Sequence, residues 1–328
     1  MSEGGRPTEP ATGATCCDHA SQVPETCQPT MGTIRSREVK LEELVPRVTD
    51  AEREDKDVDQ LIPWVFRTSR IVEESHIEEW PGEGRLKDFF KNFINYHDEV
   101  PSTELVDNHE SHNTRALGST VRISGRERIT LSRKNWREPM RERHKRFLNW
   151  QGTMLSDLMK GIYQSLEALD NEVTDIKFPM NSIRLQYQIR GGNYAAQPEG
   201  TVIDKLGVPI ISFNGWYEGQ TWGDSLRNTL SVMLGQLTKS LRRGAVFPEQ
   251  RVYIVGFFGK ELYIALGLFS SDLITRAQST GCLEDFEILI SPGYNLCLQE
   301  NWIEAIRGLT RLFRYLLGDH TRIDSIQS

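Results

Sequence analysis

The chain reads as an α/β protein: a small mixed β-sheet flanked by helices, in the order α-β-β-β-α-β-β-α. Three observations predict this class. Leu155, Leu158, Ile162, Leu166 and Leu169 recur every three or four positions, the spacing of one helix face. Ile183 to Ile189 alternates apolar and polar residues with period two, as side chains do along a half-buried strand. Further strand-like and helix-like segments then follow one another at short spacing through to residue 317.

Taken in order, the first helix spans about 152–170 and the first strand 183–189, with Gly191-Gly192 ending it. Gly200–Asp204 and Val208–Asn214 are two short strands joined by a turn at Lys205-Leu206-Gly207. Asp224 is placed to cap a long helix whose inner face carries Leu226, Leu230, Met233, Leu234, Leu237 and Leu241. Basic residues and then glycine, Arg242-Arg243-Gly244, close that helix. Arg251–Phe258 and Glu261–Phe269 are strands about a tight turn at Gly259-Lys260, and a last helix over about 299–317 buries Trp302, Ile306, Leu309, Leu312 and Phe313.

The segments before this patterned half differ in composition. Residues 1–60 read as a disordered or weakly structured tail and an acidic linker, because large apolar residues are nearly absent from the first 36 and Thr49–Asp59 is densely charged, as a solvated helix or a linker would be. Residues 61–146 read as a helical region, with Leu86, Phe89, Phe90, Phe93, Ile94 and Tyr96 on one helix face, an acidic run over 98–110 and a basic run over 122–146. Residues 147–328 form the α/β domain.

Composition excludes several function classes. A hydrophobic share of 38% is enough for a core, but no apolar run approaches the ~18–20 residues of a membrane span. No apolar stretch follows a basic start, so no secretory signal is expected. Five cysteines, three of them bunched at Cys16, Cys17 and Cys27, do not form a disulfide framework. An intracellular protein of nucleus or cytoplasm, with no membrane association, is the expectation. The seven histidines are at 19, 76, 97, 109, 112, 144 and 320, so the best-patterned stretch, from Lys145 to Asp319, holds no imidazole for a triad or a histidine-ligated metal.

Weak motifs add nothing. Asp55, Asp57 and Asp59 imitate a calcium loop, but Gln60 and Phe66 stand where glycine and glutamate are required. Gly256 to Lys260 lacks the spacing and the following Ser or Thr of a phosphate loop.

The arrangement of a helix, three strands, a helix and a further strand, with Gln197-Pro198-Glu199-Gly200 to Asp204 followed after a turn by Val208 to Asn214, resembles the core and signature of the PD-(D/E)XK nuclease-like domains of fungal proteins. The resemblance covers roughly residues 150–320. It implies a restriction-endonuclease-like fold in which an acidic residue at one strand and a glutamate on the next hold Mg²⁺ through oxygen ligands, while a lysine two residues on helps position the attacking water. By that resemblance Glu199 takes the first acidic position, with Asp204 as the other candidate, and Glu167 on the first helix offers one more carboxylate. Ser212 falls where the glutamate is required and Asn214 where the lysine is required. A hydroxyl and an amide cannot replace a carboxylate's charge in holding a hard dication. The expectation is therefore a degenerate, inactive signature with no cofactor, acting by binding nucleic acid or a protein partner. The alternative is an active nuclease using Mg²⁺ or Mn²⁺, with Glu199, Asp204 and Glu167 as ligands or Glu218 as a migrated carboxylate. The candidate nucleic-acid surface is the basic run, with Arg133, Lys134, Arg137, Arg141, Arg143 and Lys145. The same run could instead pair with the acidic 98–110 segment, and the net charge of −7 favours that plainer reading. Trp216, Tyr217 and Trp222 read first as packing residues and second as base-stacking platforms.

Overall fold

The computed structural model describes residues 34–82, 86–100, 139–170, 176–179, 182–189, 191–242, 249–270, 275 and 286–318, with the side chains of Glu74, Pro139, Met140 and 167–170 outside that description. The elements are β1 (Ile34–Glu38), α1 (Leu41–Leu44), α2 (Ala51–Asp59), α3 (Glu74–Glu78), α4 (Lys87–Glu99), α5 (Pro139–Arg143), α6 (Lys145–Asp170), β2 (Leu185–Ile189), β3 (Gly192–Ala196), β4 (Gly200–Ile203), β5 (Pro209–Asn214), α7 (Trp222–Leu241), β6 (Glu249–Phe258), β7 (Glu261–Ser270), β8 (Phe286–Ile290) and α8 (Gln299–Leu317). Among the described residues no helix is long and apolar enough to cross a membrane.

The mixed sheet flanked by helices is present, with six strands in the order β1-β8-β7-β6-β5-β4. The pairs β4–β5, β6–β7 and β7–β8 are antiparallel, whereas β5–β6 and β1–β8 are parallel. Because β5 and β6 are parallel, their connection must cross over the sheet, and α7 is that crossover. The strand expected over 183–189 is present as β2 but is not part of this sheet: it pairs with β3 in a separate antiparallel hairpin that packs on α7.

Each sheet face has its own core. On one side Phe213, Ile211, Tyr253, Val255 and Ile264 meet α6 and α8, with α4 adding Phe89, Phe90 and Phe93 and Trp302 fully buried among them. On the other side α7 lays Leu226, Leu230, Met233 and Leu237 against Val252, Ile254 and Ile288. The first cluster runs from Val39 to Phe313, so each of the three segments distinguished in the sequence contributes to one core.

Two further expectations change. Residues 34–44 supply a sheet strand and a short helix rather than a weakly structured tail, and of the two readings of Thr49–Asp59 the helix is found, as α2, with one side buried instead of solvated, while residues 1–33 lie outside the described residues. The charged helix α2 is fixed by ion pairs rather than by apolar area. Glu54 and Asp57 are 3% and 1% exposed, and Arg311 of α8 grips Glu54 with Nη2–Oε1 at 2.6 Å and Nε–Oε2 at 3.1 Å. Arg314 does the same for Asp57, with both contacts at 2.9 Å. The second change concerns the cap of α7. Thr221 is the N-cap and Asp224 is its third-residue partner in a reciprocal capping box.

Truncating Arg311 removes the two-point contact to buried Glu54 and leaves that carboxylate with Arg47 at 3.1 Å and Arg307 at 3.5 Å. Arg311→Ala is expected to lower stability by about 1.5–3 kcal/mol in denaturant unfolding, and a loss below about 0.5 kcal/mol would mean that the pair contributes little to anchoring α2.

Candidate functional site

The signature positions sit at the β4–β5 hairpin. Gly200 faces Phe213, Thr201 faces Ser212 and Val202 faces Ile211 across the ladder. Strand alternation sends Ile211 and Phe213 into the α6 core and turns Ser212 and Asn214 toward α7.

On that second face both residues are consumed by the helix. Ser212, 0% exposed, donates its hydroxyl to Gln236 Oε1 at 2.6 Å, and Gln236 Nε2 donates to the Ile210 carbonyl at 3.1 Å. Asn214, 4% exposed, donates from Nδ2 to Thr229 Oγ1 at 2.9 Å and accepts from Asn228 Nδ2. These are satisfied buried polar groups under a helix, with nothing oriented toward a solvent-borne metal.

Glu199 lies elsewhere. Its side chain is 1% exposed, and Oε1 accepts from Arg141 Nη2 at 2.7 Å. The same guanidinium nitrogen donates to the Gln197 carbonyl at 2.6 Å. Oε2 has no hydrogen-bond partner. The surroundings are unusually close. A Cβ on Gly152 of α6 would meet the Glu199 carbonyl oxygen at 2.4 Å, so only glycine lets α6 approach there. A Cβ on Gly215 would meet Leu148 Cδ2 at 2.8 Å and Glu199 Cγ at 3.2 Å. One residue further on, Gln151 clasps the backbone of Trp216 with both ends of its amide, Nε2 to the carbonyl at 2.6 Å and Oε1 from the N–H at 2.9 Å. Burial raises the Glu199 carboxyl above its ordinary pKa, with the Arg141 charge and the nearby Gly215 amide pulling the other way.

Asp204 has a different task. Its Oδ1 accepts from the N–H groups of Leu206 at 2.9 Å and Val208 at 2.8 Å, which shapes the turn into β5. Five residues at about 3.3 Å each separate Glu199 from Asp204, roughly 16 Å along the strand, so the two carboxylates cannot share one ion. Glu218 is exposed on the turn after β5. Glu167 belongs to α6, and its side chain lies outside the described residues. Among the described residues no group of three or more Asp, Glu, His or Cys is placed to hold a metal. The residues described do not fit the Mg²⁺ or Mn²⁺ centre that the sequence resemblance implied.

A second arrangement lies where α4, α5 and α6 meet. An open cleft of about 1040 Å³ is lined by Asn95, Asp98 and Glu99 from α4 and by Arg143, Arg146, Phe147 and Trp150 from the other two helices, among others. Arg143, Lys145 and Arg146 are exposed, and Phe147 and Trp150 are half-buried. The Phe147 ring stacks on buried Tyr96, centroids 5.3 Å apart and planes 23° apart, and Trp150 meets Phe147 edge-on at 6.2 Å. His144, at the junction of α5 and α6, stacks on Tyr217 at 5.2 Å. Of the basic residues singled out in the sequence, Arg143 lines this cleft, Lys145 is exposed beside it and Arg141 turns inward to Glu199. Arg133, Lys134 and Arg137 lie outside the described residues.

Trp216, Tyr217 and Trp222 are packing residues. The first two are buried, and Trp222 sits edge-on to Phe258 at 4.8 Å with its N–H on Ser36 Oγ. The cleft aromatics, Phe147 and Trp150, were not singled out in the sequence, although their three-residue spacing directly after a basic run was the available signal. The sequence matches no protein-family model and no curated protein.

Two predictions follow from this geometry. Ser212→Ala leaves Gln236 Oε1 without its donor and should cost about 1–3 kcal/mol in unfolding experiments; Ser212→Glu puts an unpaired charge under α7 and should cost more, with no gain in Mg²⁺ affinity. For Glu199 the folded state holds the proton more tightly than the unfolded chain, so this residue makes stability fall as pH rises from the ordinary glutamate range through its raised pKa. Glu199→Gln should remove that slope from a pH series of melting temperatures, and Arg141→Ala should steepen it.

Proposed function

We propose that this chain is a hydrolytically inert protein built on a restriction-endonuclease-like core, and that it acts by binding single-stranded nucleic acid in the α4–α5–α6 cleft. The order of elements supports the first half. Helix α6, the antiparallel pair β4–β5, the crossover α7 and β6 keep the helix, strand pair, helix, strand part of the nuclease order; the place of a third strand beside β4 is taken only by a single bridge from residue 177 to Ile203, since β2 pairs with β3 instead. The hydrogen bonds at Ser212 and Asn214 support inertness. So does the α6-facing side of the same strand, where Glu199 has Phe213 and Gly215 as neighbours and neither carries charge.

The observation that carries the binding half is the pairing of exposed Arg143 and Arg146 with the half-buried rings of Phe147 and Trp150 in one open cleft. Guanidinium groups neutralise phosphates and release counterions, while aromatic faces stack on unpaired bases, each worth about 1–3 kcal/mol. The acidic wall fits the same ligand. Asp98, Glu99, Asn95 and Asn149 present acceptors for the exocyclic amino groups of bases, with the phosphates running along the arginine wall.

The test is fluorescence anisotropy of labelled single-stranded and duplex oligonucleotides over a salt series, together with a cleavage assay in Mg²⁺ and in Mn²⁺. Single strands are expected to bind with an affinity that falls as salt rises, to lose binding with the double change Arg143→Glu and Arg146→Glu, and to remain intact. Cleavage that Glu199→Gln abolishes would make the chain an active nuclease, and the absence of any nucleic-acid binding would assign the cleft to a protein partner.

A further inference from the structure

Resting on the binding reading above, we propose that Arg141 is the fixed counter-charge of the buried Glu199 carboxylate and that this contact fixes the cationic wall of the cleft. A carboxylate 1% exposed requires a counter-charge, because an unpaired ion in a low-dielectric interior is strongly disfavoured. Here Arg141 Nη2 supplies it at 2.7 Å. A guanidinium stays charged at all working pH values and cannot dissociate or be chelated.

The second half concerns where Arg141 sits. Helix α5 has five residues, Pro139–Arg143, and joins α6 at His144. Arg141 ties it to the 197–199 segment through two contacts, the Glu199 carboxylate and the Gln197 carbonyl. Arg143 follows two residues later and Arg146 one turn beyond that, and both line the cleft. The pair thus couples the interior of the signature region to the position of the phosphate-facing side chains. Oε2 of Glu199 has no hydrogen-bond partner, so the Arg141 contact through Oε1 is the side-chain bond that holds this carboxylate.

The experiment uses the full chain as wild type, Arg141→Ala, Arg141→Lys and Glu199→Gln. Arg141→Ala is expected to melt several degrees lower and to bind a labelled single-stranded oligonucleotide severalfold more weakly, with millimolar methylguanidinium, but not equal NaCl, recovering both. Arg141→Lys should recover part of each. In Glu199→Gln, amide exchange should quicken across His144–Leu148 while β5, β6 and β7 stay protected. An unchanged melting temperature in Arg141→Ala, a loss that methylguanidinium does not recover, or unchanged exchange in Glu199→Gln would overturn the coupling. Should Arg141→Ala fail to fold, the exchange result in Glu199→Gln decides alone. If the wild type binds no oligonucleotide, the proposed function falls, whereas melting and exchange still decide the coupling.

Discussion

Helix α7 lies against the face of β5 that carries Ser212 and Asn214, and much of the chain's character follows from that contact. The parallel pairing of β5 and β6 forces a crossover, and α7 is the crossover, so its inner face must rest on the sheet. Leu226, Leu230, Met233 and Leu237 supply the apolar part of the seam, while Gln236, Thr229 and Asn228 meet the polar side chains of β5. A buried hydroxyl or amide is tolerated only when bonded, and here each has found its partner on the helix. Polar residues that might have lined a reactive groove are instead part of the packing between sheet and helix.

The opposite face of the hairpin obeys the same rule by different means. Glu199 enters a crowded space between α6 and the end of β5, where two glycines permit backbone approach that any side chain would block. The cost of burying its charge is offset in part by Arg141 from a short helix at the sheet's margin. Charge pairing of this kind recurs at α2, a helix with a single apolar residue on its buried side that is held to α8 by arginines. At α2 the arginines grip Glu54 and Asp57 as two-point forks, and at Glu199 Arg141 makes a single-point contact; in both places an arginine bonded to a buried carboxylate does the work that apolar area does elsewhere in the fold.

Local periodicity made much of the fold legible. The helix over 299–317 was readable because Trp302, Ile306, Leu309 and Phe313 repeat at helical spacing, and the strands at 200–203 and 209–214 because a turn-forming Asp-Lys-Leu-Gly separates two apolar runs. What stayed hidden depended on partners far away in sequence. β1, Ile34-Arg-Ser-Arg-Glu38, has one large apolar residue, and only parallel pairing with β8, some 250 positions later, makes it a strand. α2 carries no apolar stripe to read, since its anchors are Glu54 and Asp57. β3 is defined by its register with β2 rather than by any alternation of its own. At the site, Glu199 was visible from the Pro-Glu-Gly sequence, but its partner is 58 residues upstream and belonged to a run that suggested a solvent-facing surface. Ser212 and Asn214 were recognisable as departures from a catalytic pattern; that they are bonded to α7 required the crossover to be seen.

The central claim is that Glu199, Ser212 and Asn214 carry structural bonds and leave no place for a divalent ion. Paramagnetic broadening of backbone amide signals during a Mn²⁺ titration tests it most directly. The account predicts no selective broadening at residues 198–204 or 210–216 at concentrations that leave the rest of the core unaffected. Selective, saturable broadening centred on Glu199 and the end of β5 would contradict it.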